Sequence, residues 1–270
     1  EFWLSNSWSC IKWSDVYSPF FNICFGVRQG SVLSPFLFAV YLNDLVDGRY
    51  NGRHSFVILY ADDILILTSL LTELQRLLHA CEEELAWLDM SINISKSCCL
   101  RIGPRYDFKC YSILTTNGLP LPWATELRYL GVYILSSRVF KCSQDHAKRA
   151  YYRSLNAIFD KIGRSASEEV ILQLVSSKCL PILLYASEAC GLNQSDIRSL
   201  DFVVNRFLMK LFKTANLGVI QDCLSYFNFK LPSTLLVTRT HNFLAKYSNC
   251  ENFICKLFSN FNTATRVHNV

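Results

Sequence analysis

The sequence predicts an α+β protein, because strand-like and helix-like patterns occupy different parts of the chain. Two apolar runs, 56–60 and 64–67, are rich in β-branched and aromatic residues and flank a pair of acids, as expected for an antiparallel hairpin. Leucines recur at helical spacing over 72–90, and the chain after about residue 140 has a helical texture. We therefore expect a small antiparallel sheet backed by helices, followed by a helical second domain.

The predicted hairpin carries two adjacent acids, Asp62 and Asp63, within the otherwise almost entirely apolar stretch 55–69. An Asp near the centre of a membrane-spanning helix costs about 2.5–3.5 kcal/mol, so the pair argues against such a helix, and we expect no membrane partner. Asp tolerates the positive φ angles of tight hairpin turns. The sequence therefore predicts that both acids lie at the hairpin tip, at one edge of a buried core.

Two helices are expected to back this hairpin. Pro35 opens an apolar segment that predicts a helix over 34–47, since proline fits the first helical turn. A second helix is predicted over 72–90, with Thr72 and Gln75 forming a capping box at its start. The apolar stripe that should pack on the sheet comprises Leu74, Leu77, Leu78, Cys81, Leu85 and Leu88.

The rest of the chain gives weaker patterns. Strand-like runs lie at 97–102 and 127–135, with a turn at 118–120 between them. Pro181 is expected to start or kink a helix rather than lie inside one. The Asn- and Phe-rich tail after about residue 215 shows no clear pattern. Helical segments are predicted near 143–162, 167–190 and 195–213.

Charge is distributed unevenly along the chain. Residues 1–140 contain 11 Lys and Arg against 13 Asp and Glu, whereas residues 141–270 contain 16 against 9. We place the domain division near residue 140, where this change coincides with the change to helical texture. A basic helical half beside an acid-bearing half fits a protein that grips a polyanion, but solvated lysine-rich helix faces give the same pattern.

The twelve cysteines form no CxxC pair, which predicts buried free thiols rather than a zinc site or a disulfide framework. The nearest approaches to ligand pairs, Cys142 with His146 and Cys250 with Cys255, lack a second pair at zinc-site spacing. Free thiols indicate a reducing compartment, nucleus or cytoplasm. The chain begins at Glu1 without a secretory segment, and we expect a piece of a longer polypeptide that is not secreted.

Adjacent carboxylates at a hairpin tip have two interpretations. They form a polar turn that caps a buried hairpin, or they bind a divalent cation such as Mg²⁺, which takes carboxylate oxygens and keeps waters for substrate phosphates. Successive strand side chains point to opposite faces, so Asp62 and Asp63 would contribute unequally. A two-metal phosphoryl-transfer site also needs a further carboxylate from elsewhere.

A second candidate site is the loop from Gly26 to Gly30, just before the first predicted helix. Its glycines permit close backbone approach to a ligand, Arg28 offers a phosphate contact, and Gln29 can hydrogen-bond a nucleotide. An ordinary helix entry has a similar composition, so the loop alone does not decide between the two interpretations.

Together these stretches resemble a known family. GVRQGSVLSP at 26–35, followed by a helix and then by YADD at 60–63 between apolar strands, resembles the palm of a reverse transcriptase of the non-LTR (LINE-type) retrotransposon family. INISKS, with Asn93 and Lys96, resembles the family's motif after the palm helix, and the YLG of LRYLGV resembles its primer grip. The residues of the first motif, GVRQGSVLSP, match this family better than they match intron maturases or telomerase.

The resemblance is weaker beyond the palm. LPILLYASEAC at 180–190 and RFLMKLF at 206–212 are similar to the thumb and to the segment beyond it. The implied fold is a polymerase palm, in which a small antiparallel sheet with the YADD hairpin packs on helices, followed by a helical thumb-like domain. The implied domains are a partial palm at 1–140 and a helical thumb and connection region at 141–270.

The resemblance also implies roles for single residues. Asp62 would be the metal-binding acid, with Asp63 as a supporting carboxylate and Mg²⁺ as the cofactor in a two-metal site. Lys96 would lie near the leaving pyrophosphate, where its ammonium could neutralise charge or donate a proton. An exposed surface lysine remains the alternative for Lys96.

Further implied contacts involve the nucleic acid. Arg28, Gln29 and Gly30 would lie against the templating or incoming nucleotide, and Leu130 and Gly131 would help to hold the primer end. A plain strand and its turn remain the alternative for the last two residues. The implied partners are an RNA template, a DNA primer, a dNTP and the remaining parts of a retrotransposon polyprotein.

One part of the family pattern is missing. The family has another metal-binding Asp on an apolar strand upstream of the Gly-bracketed loop, and nothing before Gly26 has that pattern, since Asp15 lies in a polar context. We therefore expect an RNA-directed DNA polymerase segment that is inactive, or nearly so, by itself. The alternative is a decayed or domesticated remnant that binds RNA through its basic half without chemistry.

Overall fold

The computed structural model confirms the predicted α+β class, with short antiparallel sheets and helices. It divides into two compact units, one drawn from residues 1–99 and 110–123 and the other from 100–109 and 124–270. The predicted functional division into palm and thumb near residue 140 stays a prediction. The structure describes residues 7–23, 30–43, 55–162, 165–252, 255–256 and 258.

The strands are short, and most pair in two-stranded antiparallel ribbons. Strand β5 pairs with β6, β2 with β3, β1 with β4 and β8 with β9, while β11, β12 and β13 form a three-stranded sheet. The strands are Trp8–Ser9 (β1), Lys12–Trp13 (β2), Val16–Tyr17 (β3), Phe21–Asn22 (β4), Ser55–Tyr60 (β5), Asp63–Thr68 (β6), Cys99–Leu100 (β7), Ile113–Leu114 (β8), Pro120–Leu121 (β9), Trp123–Ala124 (β10), Glu126–Tyr129 (β11), Val132–Leu135 (β12) and Cys142–Ser143 (β13).

The helices lie mainly in the second unit. A π-helical turn, Val175–Cys179, joins the short helices Glu168–Leu174 and Leu180–Leu183. The helices are Ser34–Tyr41 (α1), Leu71–Trp87 (α2), Asp145–Ile162 (α3), Glu168–Leu174 (α4), Leu180–Leu183 (α5), Gln194–Leu211 (α6), Leu217–Tyr226 (α7) and Pro232–Ser248 (α8). Among the described residues, no helix has the length and apolar character that crossing a bilayer requires.

The core of the first unit joins both predicted backing helices to the hairpin. Helix α1 begins at Ser34 with Pro35 in its first turn, as predicted, and it ends at Tyr41. The part of the predicted helix from residue 44 to residue 47 lies outside the described residues. Side chains that pack together in this core include Phe38 and Leu42 near α1, Val57 and Ile66 of the hairpin, and Leu77, Cys81 and Leu85 of α2.

The predicted leucine stripe on α2 is confirmed, but its predicted capping box is wrong. The stripe is buried at Leu77, Leu78, Cys81, Leu85 and Leu88, and Leu74 packs beside it. The N-cap position is Leu70, and no side chain caps it. The Gln75 amide instead accepts a hydrogen bond from the Leu114 N–H at 2.9 Å and donates to the Leu114 carbonyl, so a tertiary contact to β8 occupies it.

The second unit confirms the helices predicted near 143–162 and 195–213, and it adds two helices. The segment predicted near 167–190 is helical only to Leu183, and it is divided into two short helices by a π-helical turn. Pro181 lies in the first turn of α5, directly after the π-helical turn, as the sequence predicted. Helices α7 and α8 occupy the tail, where the sequence shows no clear pattern. One core holds this unit together, with Tyr151, Leu155, Leu183, Val204 and Phe207 among its buried side chains.

The two predicted strand-like runs are shorter or more divided than expected. The run at 97–102 is a strand only at Cys99–Leu100, because the Ser97 N–H is drawn into a turn by the Asn93 carbonyl at 3.0 Å. The run at 127–135 is a hairpin of β11 and β12 rather than one strand. The predicted turn at 118–120 is present between β8 and β9, with Gly118 at φ +76°.

Candidate active site

The hairpin of β5 and β6 presents the two acids as predicted. Six residue pairs run from Ser55 opposite Thr68 to Tyr60 opposite Asp63, which leaves Ala61 and Asp62 as a two-residue turn. Asp62 therefore lies in the turn and Asp63 begins β6. The positive φ angle falls on Ala61, at 52°, rather than on either acid. The prediction of the hairpin tip is confirmed, although its stated reason, the tolerance of Asp for positive φ, does not apply.

Both carboxylates at this tip are exposed, whereas the root of the hairpin is buried at Val57. No hydrogen bond or ion pair joins Asp62 or Asp63 to another side chain within the part of the chain that the structure describes. Their two negative charges are therefore uncompensated by the protein there. Two carboxylates without a positively charged partner are suitable ligands for a hard cation. An exposed polar turn without a bound cation would have the same geometry.

Gly30 is the residue of the Gly-bracketed loop that lies among the described residues. Gly30 is exposed, with φ +82° and open space around the position of a Cβ atom, while Arg28 and Gln29 lie outside the described residues. The helix that follows this loop is anchored to α2, since the Tyr41 hydroxyl donates to the Leu88 carbonyl at 2.9 Å. The structure thus brings α1 and the YADD hairpin into one core, and the nucleotide contacts of the loop stay predictions.

Lys96 lies in a turn of the same unit. Its side chain is exposed, and its N–H donates to the Asn93 carbonyl at 3.1 Å. Ile92 and Ile94 on the same segment pack, as does Ile66 of the hairpin, against a buried cluster that includes Leu78 of α2. The Lys96 turn is therefore fixed to the elements that carry the acids, and its role at a pyrophosphate stays a prediction.

Leu130 and Gly131 form the turn between β11 and β12 in the second unit. Tyr129 pairs with Val132, and the turn residues have φ angles of 46° and 82°, as in the two-residue turns that suit hairpin twist. The Tyr185 hydroxyl donates to the Leu130 carbonyl at 3.1 Å. Sequence reasoning missed Tyr185, because no spacing pattern connects residues 55 positions apart.

His146, which with Cys142 is one of the nearest approaches to a ligand pair in the sequence, makes other contacts. The His146 Nε2 atom lies 3.0 Å from the Glu126 Oε2 atom, and the His146 ring stacks on Tyr133 with centroids 3.4 Å apart. These contacts tie the start of α3 to the three-stranded sheet. Within the described residues, no group of three His, Cys, Asp or Glu side chains is placed to hold a metal ion.

The described cysteines are free thiols, several of them buried. Burial raises the pKa of Cys81 and of Cys99 to about 11, and that of Cys190 to about 12. Such thiols are protonated at neutral pH and are poor nucleophiles. They are therefore packing residues rather than candidate catalytic groups.

Comparison with known proteins agrees with the motifs. Residues 4–134 match the family model for reverse transcriptase (RNA-dependent DNA polymerase), and this span includes the YADD hairpin, the Lys96 turn and the YLG turn. The chain is 29% identical to the RNA-directed DNA polymerase from mobile element jockey of Drosophila funebris, over 62% of this chain and 19% of that protein. The chain thus spans about a fifth of the length of this curated relative. Residues 4–134 thus match the reverse transcriptase family, and both comparisons support the resemblance to a reverse transcriptase of the non-LTR (LINE-type) retrotransposon group.

Proposed function

We propose that this chain supplies the metal-binding hairpin of an RNA-directed DNA polymerase, which transfers a nucleotide from a dNTP to a primer 3′-hydroxyl on an RNA template. The observation that carries the proposal is the pair of exposed, uncompensated carboxylates at the turn of the YADD hairpin, inside the span that matches the reverse transcriptase family. The jockey relative is named as an RNA-directed DNA polymerase.

The donor set at this turn fits Mg²⁺. Mg²⁺ binds through one or two carboxylates and keeps waters that substrate phosphates can replace. Asp62 is the main ligand, and Asp63 supports it from the first position of β6. A bound Mg²⁺ would stabilise the charge that develops on the attacking and leaving oxygens.

The neighbouring residues receive the following roles in the proposal. Lys96 neutralises or protonates the leaving pyrophosphate, since its exposed ammonium is accessible to a phosphate. Gly30, with Arg28 and Gln29, contacts the templating or incoming nucleotide. Residues 1–140 then act as a partial palm, and residues 141–270 act as a thumb and connection region.

The primer end is assigned to the YLG turn. Leu130 and Gly131 hold the primer, and Tyr185 braces them through the Leu130 carbonyl. The proposed partners are an RNA template, a DNA primer, dNTPs and other parts of a mobile-element polyprotein. No observation on the described residues specifically favours the alternative of an RNA-binding remnant without chemistry.

The two carboxylates at the turn are too few for a complete two-metal site, which uses a further acid. No Asp in an apolar strand precedes the Gly26–Gly30 loop in this sequence. We therefore expect little DNA synthesis by the chain alone on poly(rA) primed with oligo(dT) in Mg²⁺. Strong synthesis that an Asp62→Asn substitution abolishes would contradict this incompleteness and support the polymerase assignment.

The proposal is tested by nucleotide binding with a matched control. Asp15 follows Ser14 in the two-residue turn between β2 and β3, and Ser14 has φ 53°, as Ala61 has 52° before Asp62. Asp15→Asn therefore changes the same residue type in the same kind of turn. We expect a fluorescent dTTP analogue to bind the wild-type and Asp15→Asn chains more tightly in Mg²⁺ than in EDTA. Asp62→Asn should abolish this difference, and equal behaviour of the two variants would refute the proposal.

A further inference from the structure

The exposed face of α6 carries a stripe of basic and aromatic side chains spaced four residues apart. Three of its members, Arg198, Arg206 and Lys210, are exposed, and the Phe202 ring between the two arginines is 60% exposed. Four helical residues rise about 6 Å, so each side chain lies about one turn from the next. We call Arg198, Phe202, Arg206 and Lys210 the basic stripe. The opposite face of α6 is buried in the core of the second unit at Leu200, Val203, Val204, Phe207 and Leu208.

Neither acid of α6 forms an ion pair with the basic stripe among the described residues. The two acids of α6 each accept a backbone N–H: Asp196 from Asn193 at 3.3 Å, and Asp201 from Ser233 at 2.9 Å. Within the described chain, no hydrogen bond or ion pair engages the guanidinium of Arg198 or Arg206. Two free guanidinium groups therefore face solvent on either side of an exposed phenyl ring.

Helix α6 presents this face on a firmly held support. Its N-terminus is closed by a capping box between Asn193 and Asp196. The neighbouring helix α3 contacts it at both ends, because the Lys148 ammonium donates to the Ser199 hydroxyl at 2.8 Å and the Lys210 ammonium lies over the Phe159 ring at 5.5 Å. The spacing of the stripe is thus fixed by the fold before any ligand binds.

We propose that the basic stripe binds a single-stranded segment of nucleic acid, with Arg198 and Arg206 on its phosphates and Phe202 stacked on an unpaired base. Sites for single strands combine cationic groups that follow the backbone with aromatic rings on which bases stack. A protein interface would need a larger apolar centre than one phenyl ring. The inference adds to the proposed function a binding site for single-stranded RNA. It rests on that function only in identifying the bound strand as the RNA template.

Binding to a labelled 12-nucleotide RNA, followed by fluorescence anisotropy at several KCl concentrations, tests the arginines. Each phosphate contact with a single strand contributes about 0.7 to the slope of log K against log salt, so Arg198→Gln with Arg206→Gln should flatten the slope by about 1.4. Affinity near 0.1 M salt should fall on the order of 20-fold. The control is Arg149→Gln with Arg153→Gln, which removes two exposed arginines, also four residues apart, from a face of α3 that carries the exposed acids Asp145 and Asp160.

Substitutions at Phe202 test the stacking. Phe202→Leu should weaken binding of the single strand about 10-fold, as loss of a stacking ring does, and Phe202→Tyr should retain it. A blunt-ended RNA duplex, in which every base is paired, should show no dependence on Phe202. Circular dichroism and thermal unfolding report whether each variant remains folded.

The outcomes separate this inference from the polymerase assignment. An Asp62→Asn chain should bind the 12-nucleotide RNA as the wild type does, so failure of the metal site leaves the stripe intact. Equal effects of the stripe and control arginine pairs would overturn the inference. Absence of single-strand binding at low salt, or full binding by Phe202→Leu, would overturn it as well.

Discussion

At the scale of single residues, Tyr151 shows how the second unit tolerates a buried polar atom. Its side chain is fully buried, and its hydroxyl has no hydrogen-bond partner among the described residues. Burial raises the pKa of the Tyr151 phenol, so the hydroxyl stays protonated throughout the neutral range. An unmatched buried hydroxyl has a desolvation cost that its ring must offset through packing.

We predict that Tyr151→Phe leaves the free energy of unfolding unchanged or raises it by about 1 kcal/mol, because the substitution removes the unmatched hydroxyl and keeps the ring. Urea unfolding followed by circular dichroism measures the change. Tyr152→Phe, on the half-buried neighbouring ring, is the control for loss of a phenol hydroxyl. A loss of more than about 1 kcal/mol in Tyr151→Phe would show that the hydroxyl is bonded after all.

Residue positions at the hairpin tip were predictable, but their backbone angles were not. The change from apolar to acidic side chains and back marks Asp62 and Asp63 as the point of reversal. Only the register of β5 on β6 decides that Ala61 takes the positive φ angle, and register depends on side-chain packing along the whole ribbon. The pattern therefore locates the turn without specifying its geometry.

At the scale of elements, the turn between β11 and β12 combines two constraints at Gly131. Its φ angle is +82°, and a Cβ atom there would lie 3.1 Å from the Tyr185 Cε1 atom. Gly118 provides a matched position, since its φ angle is +76° and no atom lies within 4 Å of its Cβ position. Comparison of substitutions at Gly118 and Gly131 therefore separates the cost of backbone strain from the cost of a clash with Tyr185.

We predict that Gly118→Ala lowers the free energy of unfolding by about 1–2 kcal/mol, which is the cost of an L residue at positive φ. Gly131→Ala should cost more, since the Tyr185 ring must also move. The excess should vanish in a Tyr185→Ala background, and a thermodynamic cycle of denaturant unfolding measures it. Equal costs for the two glycines in the wild-type background would contradict the contact.

The elements that could be predicted are those whose packing repeats along the sequence. Helix α2 was predictable because its leucine stripe faces one core, whereas its capping box failed because Gln75 bonds to a strand 39 residues away. Helices α7 and α8 were not predictable, because neither has a repeated stripe of buried side chains. Only Ile220 is buried in α7, and only Pro232 and Leu236 are buried in α8. Long-range contacts such as that of Tyr185 leave no local signal.

At the scale of the whole molecule, buried thiols link stability to pH. The folded chain holds the pKa of Cys190 at about 12 by burial, above the ordinary thiol value of about 8.5 that applies in the unfolded chain. Below that ordinary value both states are protonated and stability is fully present. As pH rises past it, the unfolded chain loses the proton first, so stability declines until the folded pKa is reached.

We predict that the free energy of unfolding falls between pH 8.5 and about 11, with each buried thiol contributing at most about 1.4 kcal/mol per pH unit. Cys190→Ala should reduce this slope, and Cys10→Ala, at a half-buried position, is the control for loss of a thiol. Urea unfolding in a reducing buffer at pH 7.5, 9 and 10.5 provides the slopes. If the free energy of unfolding of the Cys190→Ala chain depended on pH as strongly as that of the wild type, the raised pKa of Cys190 in the folded chain would be contradicted.

The central claim concerns the cation at the YADD turn, and a direct Mn²⁺ titration followed by electron paramagnetic resonance tests it. Mn²⁺ accepts the same carboxylate oxygens as Mg²⁺, and its free signal disappears on binding. We predict that the wild-type and Asp15→Asn chains deplete free Mn²⁺ equally, whereas Asp62→Asn depletes it much less and Asp62→Asn with Asp63→Asn not at all above background. Equal depletion by the Asp62→Asn and Asp15→Asn chains would show that the acids at positions 62 and 63 only shape a polar turn.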